Sequence, residues 1–284
     1  MAEGATDTAT VGAAEGTARI ASAFADARER GRAALMPYMM AGFPDQEGSK
    51  AIARAYAEAG ADLIELGIPF SDPLADGPVI HAAGTAALER GATLGSSLEV
   101  CAEVSAELPV VAMVYSNMIL AGGGPAEFAR SLAGAGACAA IVPDLPLEEA
   151  PPVRDALLEA GLAFVPLIAP TSPPERRRAI CEQAGQRGFV YVVATVGVTG
   201  EREELPAELT ELVADVKEAA RVPVAVGFGI GTPEQAASVG RIADGVIIGS
   251  RLVRAAGEEP FERALDEVTS FMREVRAALG GDGR

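Results

Sequence analysis

Eight short apolar runs, each followed by a longer stretch of helical periodicity, constrain the fold of this chain more than any other feature. The runs are Leu35–Met40, Asp62–Gly67, Pro109–Tyr115, Ala139–Val142, Ala163–Ile168, Phe189–Val193, Val222–Gly227 and Asp244–Gly249. Each is apolar almost throughout, the pattern of a parallel strand covered by helices on one side and by a packed interior on the other. In the first intervening stretch Ile52, Ala55, Tyr56 and Ala59 recur at helical spacing, with Lys50, Arg54 and Glu58 on other faces. Pro173-Pro174, Pro206 and Pro233 stand where helices should start, because a missing N–H costs little there. Eight strand–helix units in 284 residues, 49% of them apolar, predict an α/β fold of the (β/α)8 TIM-barrel type. A doubly wound open sheet is the alternative. It calls for a G-x-G-x-x-G turn after the first strand, and Gly42-Phe43-Pro44 is not one.

Two additions frame the barrel. Residues 17–30 read as an extra N-terminal helix across the barrel bottom. Phe261–Leu279 read as a last helix with Phe261, Leu265, Val268, Phe271 and Met272 along one side. Residues 1–16 are rich in Ala, Gly, Thr and Glu and lack a basic residue, so a disordered tail is expected there and a single barrel domain over 17–284.

Charge narrows the partners. The net charge is −17, from 40 Asp and Glu against 23 Lys and Arg, which disfavours nucleic acid and anionic lipid. An anionic substrate would then be held by backbone N–H groups and helix N-termini more than by a basic patch. Cys101, Cys138 and Cys181 are far apart with no C-x-x-C pair, and read as core thiols in a reducing compartment. No apolar run is long enough to span a bilayer. A soluble cytoplasmic protein is expected.

Barrel chemistry sits at the C-terminal ends of the strands and in the loops that follow. The second strand places Glu65 inside an apolar run, and alternation with Ile64 and Leu66 turns it into the barrel. A buried carboxylate costs several kcal/mol unless it is paired or takes up a proton. An inward Lys or Arg would make it a structural ion pair, but no other strand supplies one. A carboxyl whose pKa is raised by burial can act as a general acid near neutrality. In the next loop, Pro69 to Pro78, Asp72 before Pro73 fits a turn residue, and Asp76 before Gly77 fits either a turn or a second catalytic carboxylate.

Three glycine-rich turns come late: Gly197 to Gly200, Gly227 to Thr232, and Gly249-Ser250 leading into a helix. Glycine turns after the seventh and eighth strands are the usual phosphate grip of this architecture. His81 is the only histidine, which excludes a multi-histidine metal site, and its place in a helix fits a surface or packing role. Tyr191, inward by alternation, fits a core tyrosine or a substrate contact equally.

The stretch Glu65-Leu66-Gly67-Ile68-Pro69-Phe70-Ser71-Asp72-Pro73-Leu74-Ala75-Asp76-Gly77-Pro78 closely resembles the signature of tryptophan synthase α subunits. Tyr115-Ser116-Asn117, Pro143-Asp144-Leu145-Pro146, Gly197-Val198-Thr199-Gly200 and Gly227-Phe228-Gly229-Ile230 support it, so the resemblance runs from about Arg19 to the last helix. It implies a lyase of tryptophan biosynthesis that splits indole-3-glycerol phosphate into indole and glyceraldehyde 3-phosphate by a retro-aldol step. It implies Glu65 and Asp76 as the catalytic pair, and Tyr191, Thr199, Gly200, Gly229, Gly249 and Ser250 as substrate-binding positions. It further implies no cofactor or metal in this subunit, and a pyridoxal phosphate-dependent β subunit as partner in an α2β2 heterotetramer, facing Asp72, Pro73 and Asn117. Two positions depart from the family pattern. Ala194-Thr195-Val196 fills the place of a common Ser-Arg, and Phe43 stands where many members have Asp.

Three other functions are weighed against this. A stand-alone indole-releasing lyase would share the site but not the partner. A sugar-phosphate isomerase or indole-3-glycerol phosphate synthase would want a basic catalytic residue at a strand end, where this chain has Glu65. A non-catalytic activating subunit would lack Glu65 or Asp76, and both are present.

Overall fold

The computed structural model describes residues 7–194, 206–227 and 229–280. Among these residues nine parallel strands form one sheet: β1 (Ala34–Met40), β2 (Ile64–Gly67), β3 (Val110–Met113), β4 (Ala137–Ile141), β5 (Ala163–Val165), β6 (Leu167–Ile168), β7 (Val190–Val193), β8 (Val224–Gly227) and β9 (Gly245–Ile248). Their order is β5-β4-β3-β2-β1-β9-β8-β7-β6. The two ends of that order, β5 and β6, are consecutive in the chain, so the sheet closes on itself into the expected barrel. Eight predicted strands become nine because Pro166 divides the fifth. It has no N–H to give the ladder, β5 bonds to β4 and β6 bonds to β7, and the Pro166 carbonyl still accepts the Tyr191 N–H at 3.0 Å.

Alternation sorts the strand residues into two buried sets. Leu35, Met39, Ile64, Leu66, Val190, Val192, Val224 and Val226 pack outward against the helices. Met36, Leu63, Val111, Ile141, Val165, Phe189, Tyr191 and Ile247 fill the barrel interior. The bottom of that interior is closed by helix α1 (Asp7–Glu29), which begins at Asp7 rather than at the expected residue 17. Its Ile20, Phe24 and Ala27 join the interior set, and Phe24 meets Phe189 with ring centroids 5.6 Å apart. Gly245 at the start of β9 is required by this plug, since a Cβ there would lie 2.8 Å from the Phe24 ring.

Two acids that the sequence places at strand starts instead brace the barrel bottom. Asp62 holds Arg32 by a two-pronged ion pair at 2.6 and 2.7 Å and accepts the Leu35 N–H at 2.8 Å. Asp244 takes the Val224 N–H at 2.9 Å and Lys217 at 2.7 Å. Helices α2 (Gln46–Glu58), α3 (Pro78–Glu89), α4 (Leu94–Ser105), α5 (Ser116–Leu120), α6 (Gly124–Gly134), α7 (Pro151–Glu159), α8 (Pro174–Ala184), α9 (Ala207–Ala219), α10 (Pro233–Gly240), α11 (Ser250–Ala256) and α12 (Phe261–Gly280) surround the strands. The prolines stand at helix starts: Pro174 and Pro233 open α8 and α10, and Pro206 caps α9. Helix α12 buries Ala264, Val268, Phe271, Met272 and Val275, with Phe261 and Leu265 partly covered beside them. Phe43, one of the departures from the family pattern, is packed beneath the end of α11, where a Cβ on Gly257 would lie 2.9 Å from its ring.

Candidate active site

Within β2, Glu65 stands in register with Tyr38 of β1 and Val111 of β3. It is only 2% exposed, and its Oε2 has no hydrogen-bond partner. Burial, with a smaller contribution from the nearby Asp76 charge, pushes the Glu65 carboxyl up to about 8. At neutral pH the group therefore carries a proton. Among the described residues no cation neutralises it, which argues against the ion-pair alternative left open by the sequence.

Two phenols border this carboxyl. The Tyr38 ring leans over Gly67 and the Tyr191 ring leans over Gly227; a Cβ on either glycine would collide with the adjacent hydroxyl. Glycine at the ends of β2 and β8 thus makes room for two inward tyrosines, Tyr38 on β1 beside β2 and Tyr191 on β7 beside β8. Burial is the main cause that raises both phenols well above their usual range, and the Glu65 charge adds to it, so both remain protonated donors.

Asp76 lies on the loop between β2 and α3 and is half-buried. Burial raises its carboxyl above the ordinary range, while the hydroxyl of Tyr115 and the charge of His81 act in the opposite sense. Tyr115 is the clamp of this loop. Its ring stacks on Phe70 at 5.2 Å, and its hydroxyl accepts the Ala75 N–H at 3.1 Å. Next to it, the Ser116 N–H and hydroxyl both donate to Asp144 at 2.8 Å. Beyond a family motif, no local pattern signals this clamp, because Tyr115 meets a loop far away along the chain.

Glu65 and Asp76 open into a cavity of about 700 Å³ at the C-terminal end of the strands. Tyr38, Tyr191, Gly229, Gly249 and Ser250 line the same cavity. Gly229 has φ +76°, a conformation that favours glycine. The structure thus brings together six of the expected site residues: both carboxyls, Tyr191, Gly229, Gly249 and Ser250. Thr199, Gly200 and Thr195 lie outside the described residues. Asp72, Pro73 and Asn117 do not line the cavity. Asp72 accepts the Ser71 hydroxyl at 2.6 Å, and the Pro73 carbonyl takes the Asp76 N–H at 3.1 Å. Asn117 lies exposed on α5. Beside them stand Leu74, 88% exposed, and Leu120, 59% exposed, which the sequence reading did not single out. His81 is exposed on α3. Among the described residues no cluster of three His, Cys, Asp or Glu side chains could hold a metal ion, and no helix is long and apolar enough to cross a membrane.

Comparison with known proteins settles the lineage of this barrel. The family model described as "Tryptophan synthase alpha chain" matches residues 24–279. The chain belongs to the tryptophan synthase alpha chain family. Among its relatives, the tryptophan synthase alpha chain of Gloeobacter violaceus is 44% identical over 263 residues, covering 92% of this chain and 94% of the relative. That of Carboxydothermus hydrogenoformans is 48% identical over 237 residues, covering 83% and 88%. Among solved structures, a tryptophan synthase from Mycobacterium tuberculosis aligns with TM-score 0.83 at 39% identity, covering 92% of this chain and 98% of that one. The tryptophan synthase subunit alpha of Legionella pneumophila aligns with TM-score 0.83 at 33% identity, covering 93% and 98%.

Proposed function

We propose that this chain cleaves indole-3-glycerol phosphate to indole and glyceraldehyde 3-phosphate, with Glu65 and Asp76 as the catalytic pair. The observation that carries this is the protonated, unpartnered Glu65 carboxyl facing a cavity that also holds a second, less buried carboxyl and three backbone positions suited to an anion. Membership of the family supplies the substrate.

The chemistry needs a proton delivered and a proton removed. Protonation of indole C3 makes the ring a leaving group. Loss of the proton from the glycerol hydroxyl on the adjacent carbon then lets an aldehyde form as the C3–carbon bond breaks, and the bonding pair returns to the ring. Glu65 gives the first proton and, as its conjugate base, takes the second, so the cycle is proton-neutral. Asp76 keeps contact with solvent and with the Tyr115 hydroxyl. It serves as the ionised partner, stabilising positive charge that develops at the indole N–H. Tyr191 closes the pocket beside Glu65. Backbone N–H groups at Gly229, Gly249 and Ser250, with Thr199 and Gly200 of the preceding turn, hold the phosphate. No cofactor takes part in this subunit; pyridoxal phosphate belongs to the partner's chemistry.

That partner is a β subunit, in an α2β2 assembly, docking on Asp72, Pro73 and Asn117. The bared Leu74 and Leu120 at this rim support such a surface. Asp76 sits on the same loop as Leu74, so a partner seated there also fixes the position of a catalytic group. Indole release from indole-3-glycerol phosphate by the purified chain should therefore be slow and rise at least about tenfold on titration with a β subunit, a gain needing only about 1.4 kcal/mol of differential binding. A flat titration at full activity would mean a stand-alone lyase. A flat titration at zero activity would rule out the proposed cleavage.

A further inference from the structure

The substrate proposed above is an anion, and the protein it must approach carries a net charge of −17. The long-range field of the molecule therefore opposes encounter, whatever the backbone grip contributes after contact. Some local positive charge at the cavity would offset that field. Among the described residues the cations lining the cavity are Arg176, Arg251 and Arg254.

Their situations differ. Arg176 is held in a forked pair by Glu148 at 2.7 and 3.1 Å. Arg251 is paired with Glu267 and lies 4.7 Å over the Phe271 ring. Each of these charges is largely cancelled by its partner. Arg254 is exposed on α11, one helical turn beyond Ser250, and no acidic side chain pairs with it among the described residues. The nearby Glu258 is instead taken by Arg263 at 3.2 Å. Among the described residues nothing compensates this guanidinium, and it stands on the helix whose N-cap, Gly249, and first residue, Ser250, line the same cavity.

We infer that Arg254 is a positioning residue that draws the phosphorylated substrate into the cavity through its charge, which no described acid offsets. It acts at a distance and need not touch the phosphate. The guanidinium raises the local concentration of the anion at the mouth, and the glycine turns then bind it. This rests on the cleavage function proposed above. The structural alternative for the same residue is a cation in the last turn of α11 that complements the helix dipole. That role would affect melting temperature and leave the salt dependence of catalysis untouched.

The test is kcat/KM for indole release at a series of ionic strengths, with Arg254→Gln, Arg254→Lys and Arg273→Gln. Arg273 is exposed on α12, unpaired among the described residues and away from the cavity, so its loss changes net charge equally. At about 10 mM ionic strength Arg254→Gln should lower kcat/KM roughly three- to tenfold, with the loss carried by KM. The gap should close to under about twofold near 0.5 M, where the screening length is only a few ångströms. Arg254→Lys should stay within about twofold of the unmodified protein throughout, and Arg273→Gln should match it. Equal salt slopes for Arg254→Gln and the unmodified protein would overturn the inference, as would an equal loss in Arg273→Gln. Should the unmodified protein release no indole, the cleavage proposal fails by itself. Titration of both proteins with inorganic phosphate by calorimetry then decides the steering role, with weaker, less salt-sensitive binding in Arg254→Gln as the expected result and identical binding as the contrary one.

Discussion

Glu65→Gln is expected to lower indole release by about 10²–10⁴-fold while leaving substrate binding nearly unchanged. Glutamine keeps the shape of the side chain within β2 but has no proton to deliver to indole C3 and no basic form to receive one. The same substitution should make the protein more stable, and the sign follows from proton linkage. The Glu65 carboxyl is raised to about 8 in the folded chain against an ordinary value of 4.5. Between those values the folded state binds more protons than the unfolded one, so its stability falls as pH rises. Glutamine does not titrate. Its advantage should be absent below about pH 4.5, grow through neutrality and level off above about pH 8 at some 3 kcal/mol or more, or several degrees in Tm. Thermal melts of the two proteins across that range check it. Equal melting curves at every pH would mean that the carboxyl is not held protonated by burial.

The second large effect is expected at the other end of the cavity. Gly249→Val should raise KM for indole-3-glycerol phosphate by about 10–100-fold, because a branched side chain keeps the phosphate from the amides. Gly249 tests this more cleanly than Gly229. With φ −109° it lies outside the left-handed region, and a Cβ there would stand 3.7 Å from the Tyr38 Cβ, an ordinary contact. Gly229, at φ +76°, would distort its own turn on substitution. A steady-state KM for Gly249→Ala, Gly249→Val and Arg254→Gln at about 0.15 M salt ranks the contributions. The expected order is a small effect for alanine, a large one for valine and a modest one for the arginine change. A larger loss from Arg254→Gln than from Gly249→Val would show that charge, not backbone, holds the anion.

The barrel was legible because its strands are buried on both faces and so read as continuous apolar runs. The same property hid the break at Pro166, which lies inside an apolar run and shows itself only where β5 and β6 bond to different neighbours. It also blurred the strand starts, where Asp62 and Asp244 use their carboxylates on Arg32, Lys217 and backbone N–H groups. Glu65 was legible because a charged residue interrupting such a run needs an explanation. The order of the two acids was harder to see. It depends on Tyr115 reaching the Ala75–Asp76 loop and on two tyrosines lying over Gly67 and Gly227. Those are contacts between strands and loops distant in the chain, which no local pattern encodes. Gly227 illustrates the difficulty: it read as the first residue of a phosphate turn, whereas its missing side chain makes room for Tyr191.

The central claim is that a buried, protonated Glu65 acts as the acid that splits indole-3-glycerol phosphate. The pH dependence of kcat/KM for indole release, which reports the acid of the free chain, tests it most directly, measured on the unmodified protein from about pH 6 to 10. Activity should be sustained through neutrality and then fall about tenfold per pH unit above about 8, as the carboxyl loses its proton. A rate that stays level or climbs from pH 8 to 10 would contradict the claim.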